Sequence, residues 1–280
     1  MICRTEEQFK RVIYNYSPGG LLTHSLWDSL LIYIDESNRW IKNTFLGNSL
    51  YAKYEEFSEE VKGLCDVVVG CKAFYEAIPS LDLVLTSTGF GIINNERVAP
   101  ASKERVQRLR GQIKESMFNT MDELLIFFLN EEELRVLFAQ GAPFEKLTDS
   151  LFLTGSELQL YAGMEGATRK ELYTQKALIA EGELMIQRWI SVVYFNELLQ
   201  KVRDNKVEVK DREVLLKAKQ LLGFYITGQS VAFRRLAELL VNSIEAQIDG
   251  YPTYKGSAEY QLKNKSRYEN KKEDSTYFFG

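Results

Sequence analysis

Gly89 and Gly91 flank Phe90 in the stretch LTSTGFGIINNERVAP (85–100), and paired glycines at this spacing let a backbone loop approach a phosphate closely. A dinucleotide-binding turn would carry a third glycine three residues later, where this chain has Asn94. No Gly-Lys-Ser/Thr ending follows, and no acidic residue closes a later strand. The stretch is therefore read as a structural corner, and no cofactor is expected.

The other residue types that could carry chemistry are sparse. Cys3, Cys65 and Cys71 are odd in number and lack CxxC spacing, which indicates neither a disulfide framework nor a zinc site. Cys65 and Cys71 fall on the apolar face of a helical pattern, as small buried residues do. His24, the only histidine, has no Cys or carboxylate beside it at ligand spacing and reads as a cap or surface residue. HExxH and GxSxG are absent, and the carboxylates alternate with Lys and Arg as in ASKERVQRLRGQIKE (101–115). No catalytic or metal-binding residue is assigned and no enzymatic activity is expected, although a carboxylate pair meeting only in space stays open. KERVQRLR (103–110) and AFRRLAE (232–238) read either as nucleic-acid contacts or as the wet sides of helices.

Composition narrows the classes further. The chain has 280 residues, 45% hydrophobic and 26% charged, with 5 prolines and 18 glycines, as expected of a globular protein with a substantial core. Its net charge is 35 − 39 = −4, which argues against a protein whose main task is neutralising nucleic-acid phosphate. The N-terminal MICRTEEQFKRVIYNY lacks the apolar stretch of a signal peptide, and no run approaches the roughly 18 apolar residues of a membrane span. A reducing cytoplasm and no membrane partner are expected.

The elements that must position these residues are mainly helical. Trp27, Leu30, Leu31, Ile34 and Ile41 mark one amphipathic helix. After a break at Gly47-Asn48-Ser49, Tyr54, Phe57, Val61, Leu64, Val68 and Cys71 mark another, which should stop at Ile78 before Pro79. The period then changes to two residues at Leu81, Leu83 and Leu85, and a partner strand near 90–93 would complete a β-hairpin over about 81–94. Ser102 is placed to cap a long helix through Val106, Leu109, Ile113, Met117, Met121 and Leu124. Beyond Asn130, Thr154 or Ser156 caps a short helix, a long helix runs from about 170 to 202, and a last one runs from about 211 to 248 with Gly223 and Gly228 inside. A kink, a close contact or a break near Gly228 would each account for those glycines.

The expected class is a mainly α protein: helical bundle(s) with one inserted β-hairpin and an extended C-terminal tail. A helical domain over 1–130 holds the hairpin, a second helical region over 131–250 packs on it, and 251–280 form the tail. That tail has a mixed-charge run and then Tyr277-Phe278-Phe279-Gly280, an aromatic end that either frays or docks on this domain or a neighbour.

The combination PSLDLVLTSTGFGIINNERVAPASKERVQRL resembles an uncharacterised family of Bacteroidetes phage and prophage proteins, crAss-like phages included, encoded among head and tail morphogenesis genes. Leu81 to Leu85, Gly89-Phe90-Gly91 and Asn95 through Arg105 carry the likeness, and FLTGSELQLYAG with TRKELYTQKALIAEGE resembles the family's second half more loosely. The resemblance implies a structural virion protein at the portal vertex or neck, made in the host cytoplasm. A head-to-tail connector or adaptor ring below the portal is the leading form, with a capsid-associated or tail-completion protein, or a small cytoplasmic helical regulator or enzyme, as alternatives. It implies as partners a ring of its own copies, a dodecamer, together with the portal protein and neighbouring tail or adaptor proteins, with DNA sliding through unbound. The contacts it implies are Leu83, Leu85, Phe90, Ile92, Asn95, Arg97, Tyr277, Phe278 and Phe279.

Overall fold

The structure, a computed structural model, describes residues 1–13, 26–81, 83–86, 89–92 and 102–264. The first half of the fold is laid down by helices α1 (Glu6–Val12), α2 (Leu26–Ile41), α3 (Gly47–Ala52), α4 (Glu59–Ala77), α5 (Lys103–Asn130), α6 (Glu132–Ala139) and α7 (Ala142–Leu147). α4 forms the centre because it offers apolar residues on two sides and packs against both α2 and α5. Ser58 starts it by accepting from the Val61 N–H, and Ser102 starts α5 by accepting from the Arg105 N–H, each satisfying a donor that the first turn leaves free. α5, α6 and α7, with the π-helical turn Lys42–Leu46, bring Phe45, Phe128, Phe138 and Phe144 together, with ring centroids 5.3 to 6.5 Å apart. Each such buried side chain contributes on the order of 2–3 kcal/mol.

The second half comprises α8 (Gly155–Ala162), α9 (Arg169–Thr174), α10 (Lys176–Ile190), α11 (Val192–Arg203), α12 (Val209–Ile226), α13 (Ser230–Glu245), α14 (Pro252–Lys255) and α15 (Ala258–Asn264). α12 lies between α8, α10 and α13, and the approach to α8 explains Gly223. A Cβ there would stand 2.0 Å from the Tyr161 carbonyl oxygen. Gly228, at φ +71°, ends α12 and lets α13 fold back along it.

Two hydrophobic cores result. One gathers residues from Ile2 to Leu153 and the other from Leu151 to Tyr254, so α6 and α7 belong with the first. The helices expected over 170–202 and 211–248 are each divided, the former at Gln175 and Ser191 and the latter at Gly228. Ser191 is fully buried at φ +71°, an uncommon conformation for a residue with a Cβ. At Gly47-Asn48-Ser49, expected as a break, Gly47 at φ +74° ends the π-helical turn and the chain resumes as the short α3.

The expected class is corrected on both of its additions to the helical body. No sheet forms a layer of the fold. Among the described residues, β structure amounts to β1 (Leu83–Thr86) and β2 (Gly89–Ile92), four residues each, paired antiparallel with each other alone. A lone pair of this length is marginal in water, so the hairpin expected over 81–94 is not an architectural element, and the fold is mainly α. The extended tail is overturned over 252–264, which wind into α14 and α15. Pro252 suits the first turn of α14, and Tyr251 and Tyr254 are buried in the second core.

Candidate functional site

One group of charged residues that the fold brings together lies where the two cores meet. Arg169 opens α9 and is almost wholly buried; its Nε stands 2.6 Å from Oδ1 of Asp122 on α5, close as charges though not aligned as a hydrogen bond. Its Nη2 donates to the Leu153 carbonyl at 2.9 Å, and its guanidinium lies over Phe45 and Tyr173 at about 6 Å. The other Asp122 oxygen accepts the Gly155 N–H at 2.7 Å. Burial raises the Asp122 pKa above the usual carboxylate value, against the opposing pull of Arg169 and Gly155.

Glu157 continues this seam, accepting from the backbone N–H groups of Leu153 and Thr154 while its second oxygen pairs with Lys219 of α12. Thr154 and Glu157 form a reciprocal capping box at the start of α8, and Thr168 with Glu171 repeats it at α9. On α10, Glu183 points Oε1 at the Ser150 hydroxyl and the Leu151 N–H, 2.8 and 2.7 Å away. Burial pushes its pKa up to about 6.

The cavity beside Arg169, bordered by Asp149, Ser150, Tyr173 and Lys176, has a volume of about 30 Å³. That admits a water molecule but not a substrate, since ligand sites run to several hundred Å³. The carboxylates here receive donors from their own chain, so the arrangement fastens one helical layer to another. Among the described residues no group of His, Cys, Asp and Glu is arranged to hold a metal ion. Among the described residues no helix is long and apolar enough to cross a membrane.

Cys3, Cys65 and Cys71 are all buried, and burial raises each thiol pKa, so none is poised as a thiolate. Of the expected contact residues, the β1–β2 register sets Leu83 opposite Ile92 and Leu85 opposite Phe90. Asn95, Arg97, Tyr277, Phe278 and Phe279 lie outside the described residues, as does His24. Asp122, Arg169, Glu157 and Glu183 were not singled out from the sequence. Glu183 carried a legible signal, because it interrupts the stripe Ile179, Ile186, Ile190 at helical spacing. Asp122 and Arg169 carried none that pairs them, being 47 positions apart.

Residues 20–134 match a family of unknown function (DUF6712), a span that includes α2 through α5. Neither the comparison with curated proteins nor that with solved structures gives a match.

Proposed function

We propose that the chain is a structural subunit of a tailed-phage particle, a component of a head-to-tail connector or adaptor ring below the portal. It binds copies of itself, the portal and adjacent tail or adaptor proteins, while DNA passes without specific binding. One observation carries this reading: the resemblance to phage morphogenesis proteins is concentrated at 79–109, and the helical part of that stretch is left uncovered by both cores. The first ten residues of α5, 103–112, contain no buried residue, and burial begins at Ile113. They extend about 15 Å, anchored where Arg110 lies 4.7 Å over the Tyr75 ring.

Helical segments this short are marginal alone in water, and helices in proteins draw most of their stability from packing. A partner subunit laid along this arm supplies that packing, with the preceding residues Leu83, Leu85, Phe90, Ile92, Asn95 and Arg97 in the same contact. A repeated contact of this heterologous kind closes naturally into a ring. Quantitative mass spectrometry of purified particles tests the reading. A copy number equal to the portal's supports it, a number far above the portal's places the protein in the capsid shell or tail tube instead, and absence from the particle overturns it.

A further inference from the structure

α13 carries two apolar stripes, and the second core uses only one. Phe233, Ala237, Leu240, Val241 and Ile244 are buried, whereas Val231 is 81% exposed and Leu239 56%. Leu236, partly buried against the second core, lies between these two in sequence and lines the open side with Phe224 and Leu216 of α12 and Leu160 of α8, the last 73% exposed. Together they line an open groove, about 630 Å³ along α13 and about 480 Å³ toward α8, with Phe224 and Leu236 common to both parts. Contiguous apolar surface of this kind marks a contact site more often than isolated exposed leucines do.

We infer that the groove is the seat of this chain's own aromatic segment, Tyr277-Phe278-Phe279. The tether is favourable. α15 ends at Asn264, and the preceding Lys263 is held by Glu245, the last residue of α13, with Nζ 2.7 and 2.9 Å from its two carboxylate oxygens. From Glu245 to Leu236 is nine helical residues, about 14 Å. The twelve residues 265–276 reach up to about 40 Å, so the span is short for its linker and the local concentration of the aromatic segment is on the order of millimolar.

Charge and chemistry agree with this occupant. Arg235 on the groove's rim makes no ion pair with a described residue, and Glu273 and Asp274 stand four and three positions before Tyr277. Each ring that enters would bury roughly 150–250 Å², covering apolar surface that the helices leave open. The inference rests on groove and tether alone and stands apart from the ring reading.

The test uses a fluorescein-labelled peptide of residues 265–280 and fluorescence anisotropy. The full chain with Tyr277, Phe278 and Phe279 all changed to alanine is expected to bind the peptide at least tenfold more tightly than the unaltered chain, whose groove is already filled. Adding Leu236→Glu should abolish that binding. Adding Leu239→Glu, at a more exposed position, should do the same with an unchanged far-UV circular dichroism melt, which separates a lost groove from a lost fold. Equal peptide binding by the altered and unaltered chains overturns the inference, as does binding indifferent to both glutamates. Concentration-dependent self-association abolished by the triple alanine change also overturns it, because the aromatic segment would then occupy a neighbour's groove.

Discussion

The two helical regions solve the same packing problem with different aromatic chemistry. The first closes over phenylalanines, with Phe128 and Phe138 5.6 Å apart, and its buried polar residues Asn38 and Asp66 pair with the N-terminal segment and with Tyr54. Asn38 exchanges two hydrogen bonds with the backbone of Ile2, and Asp66 accepts from the Cys3 N–H, the Tyr54 hydroxyl and Gln8. The second closes over tyrosines whose hydroxyls must find acceptors: Tyr194 donates to Asp211 and Tyr254 to Glu245. Asp211 is fully buried and also receives Lys201 at 2.7 Å. The lesson is that the first region depends mainly on hydrocarbon contact, whereas the second, and the seam joining it to the first, depends on charges remaining paired.

The largest expected effect breaks that seam. Arg169→Met keeps the bulk but leaves Asp122 buried without its cation, and removing one partner of such a pair costs about 3–5 kcal/mol. Because the pair joins α5 to α9, urea unfolding should separate into two transitions, the first region followed at Trp27 and Trp40 and the second at Trp189. A loss below about 1 kcal/mol with one coincident transition would mean that apolar contact alone unites the regions.

A smaller effect sharpens the contrast in ionisation. Glu183 has its folded pKa raised to about 6 from 4.5, so between these values the native state holds more protons than the unfolded chain. Its contribution is therefore full below pH 4.5 and is lost as pH rises through 6, a difference of about 2 kcal/mol for 1.5 pKa units. Glu183→Gln retains an oxygen for the Ser150 and Leu151 donors, and should flatten this part of the stability–pH curve by a similar amount. Urea midpoints between pH 4 and 8 would show it, and an unchanged slope would place the titration elsewhere.

The smallest effect concerns the arm that neither core covers. A Cβ on Gly111 would meet nothing within 4 Å, so Gly111→Ala should stabilise the chain by up to about 1 kcal/mol through helix propensity. A neutral or negative result in thermal unfolding would show that the arm is not helical in the isolated chain.

The legible parts of the fold were those governed within a turn or two of helix. Ser102 and Thr154 announce helix starts because their side chains serve N–H groups three residues away, and Cys65 and Cys71 announce burial by their place on an apolar stripe. The two-residue alternation near Leu83 was equally visible, yet local alternation does not say whether a strand finds a sheet to join. The charged seam was least legible, since Asp122 resembles the exposed Glu104, Glu115 and Glu123 of α5 until α9 is laid against it.

The amino-acid order by itself thus determined helical class, the positions of caps and most inward faces, because those depend on periodicity and on hydrogen bonds between near neighbours. Only the tertiary structure decided where helices break without a local breaker. Ser191 is held at positive φ in the turn between α10 and α11, and the approach of α8 to α12 requires a glycine at 223. It also decided which charges are structural: Arg169 and Asp122 become essential to each other only when both are removed from water, and that burial is a property of the packed chain.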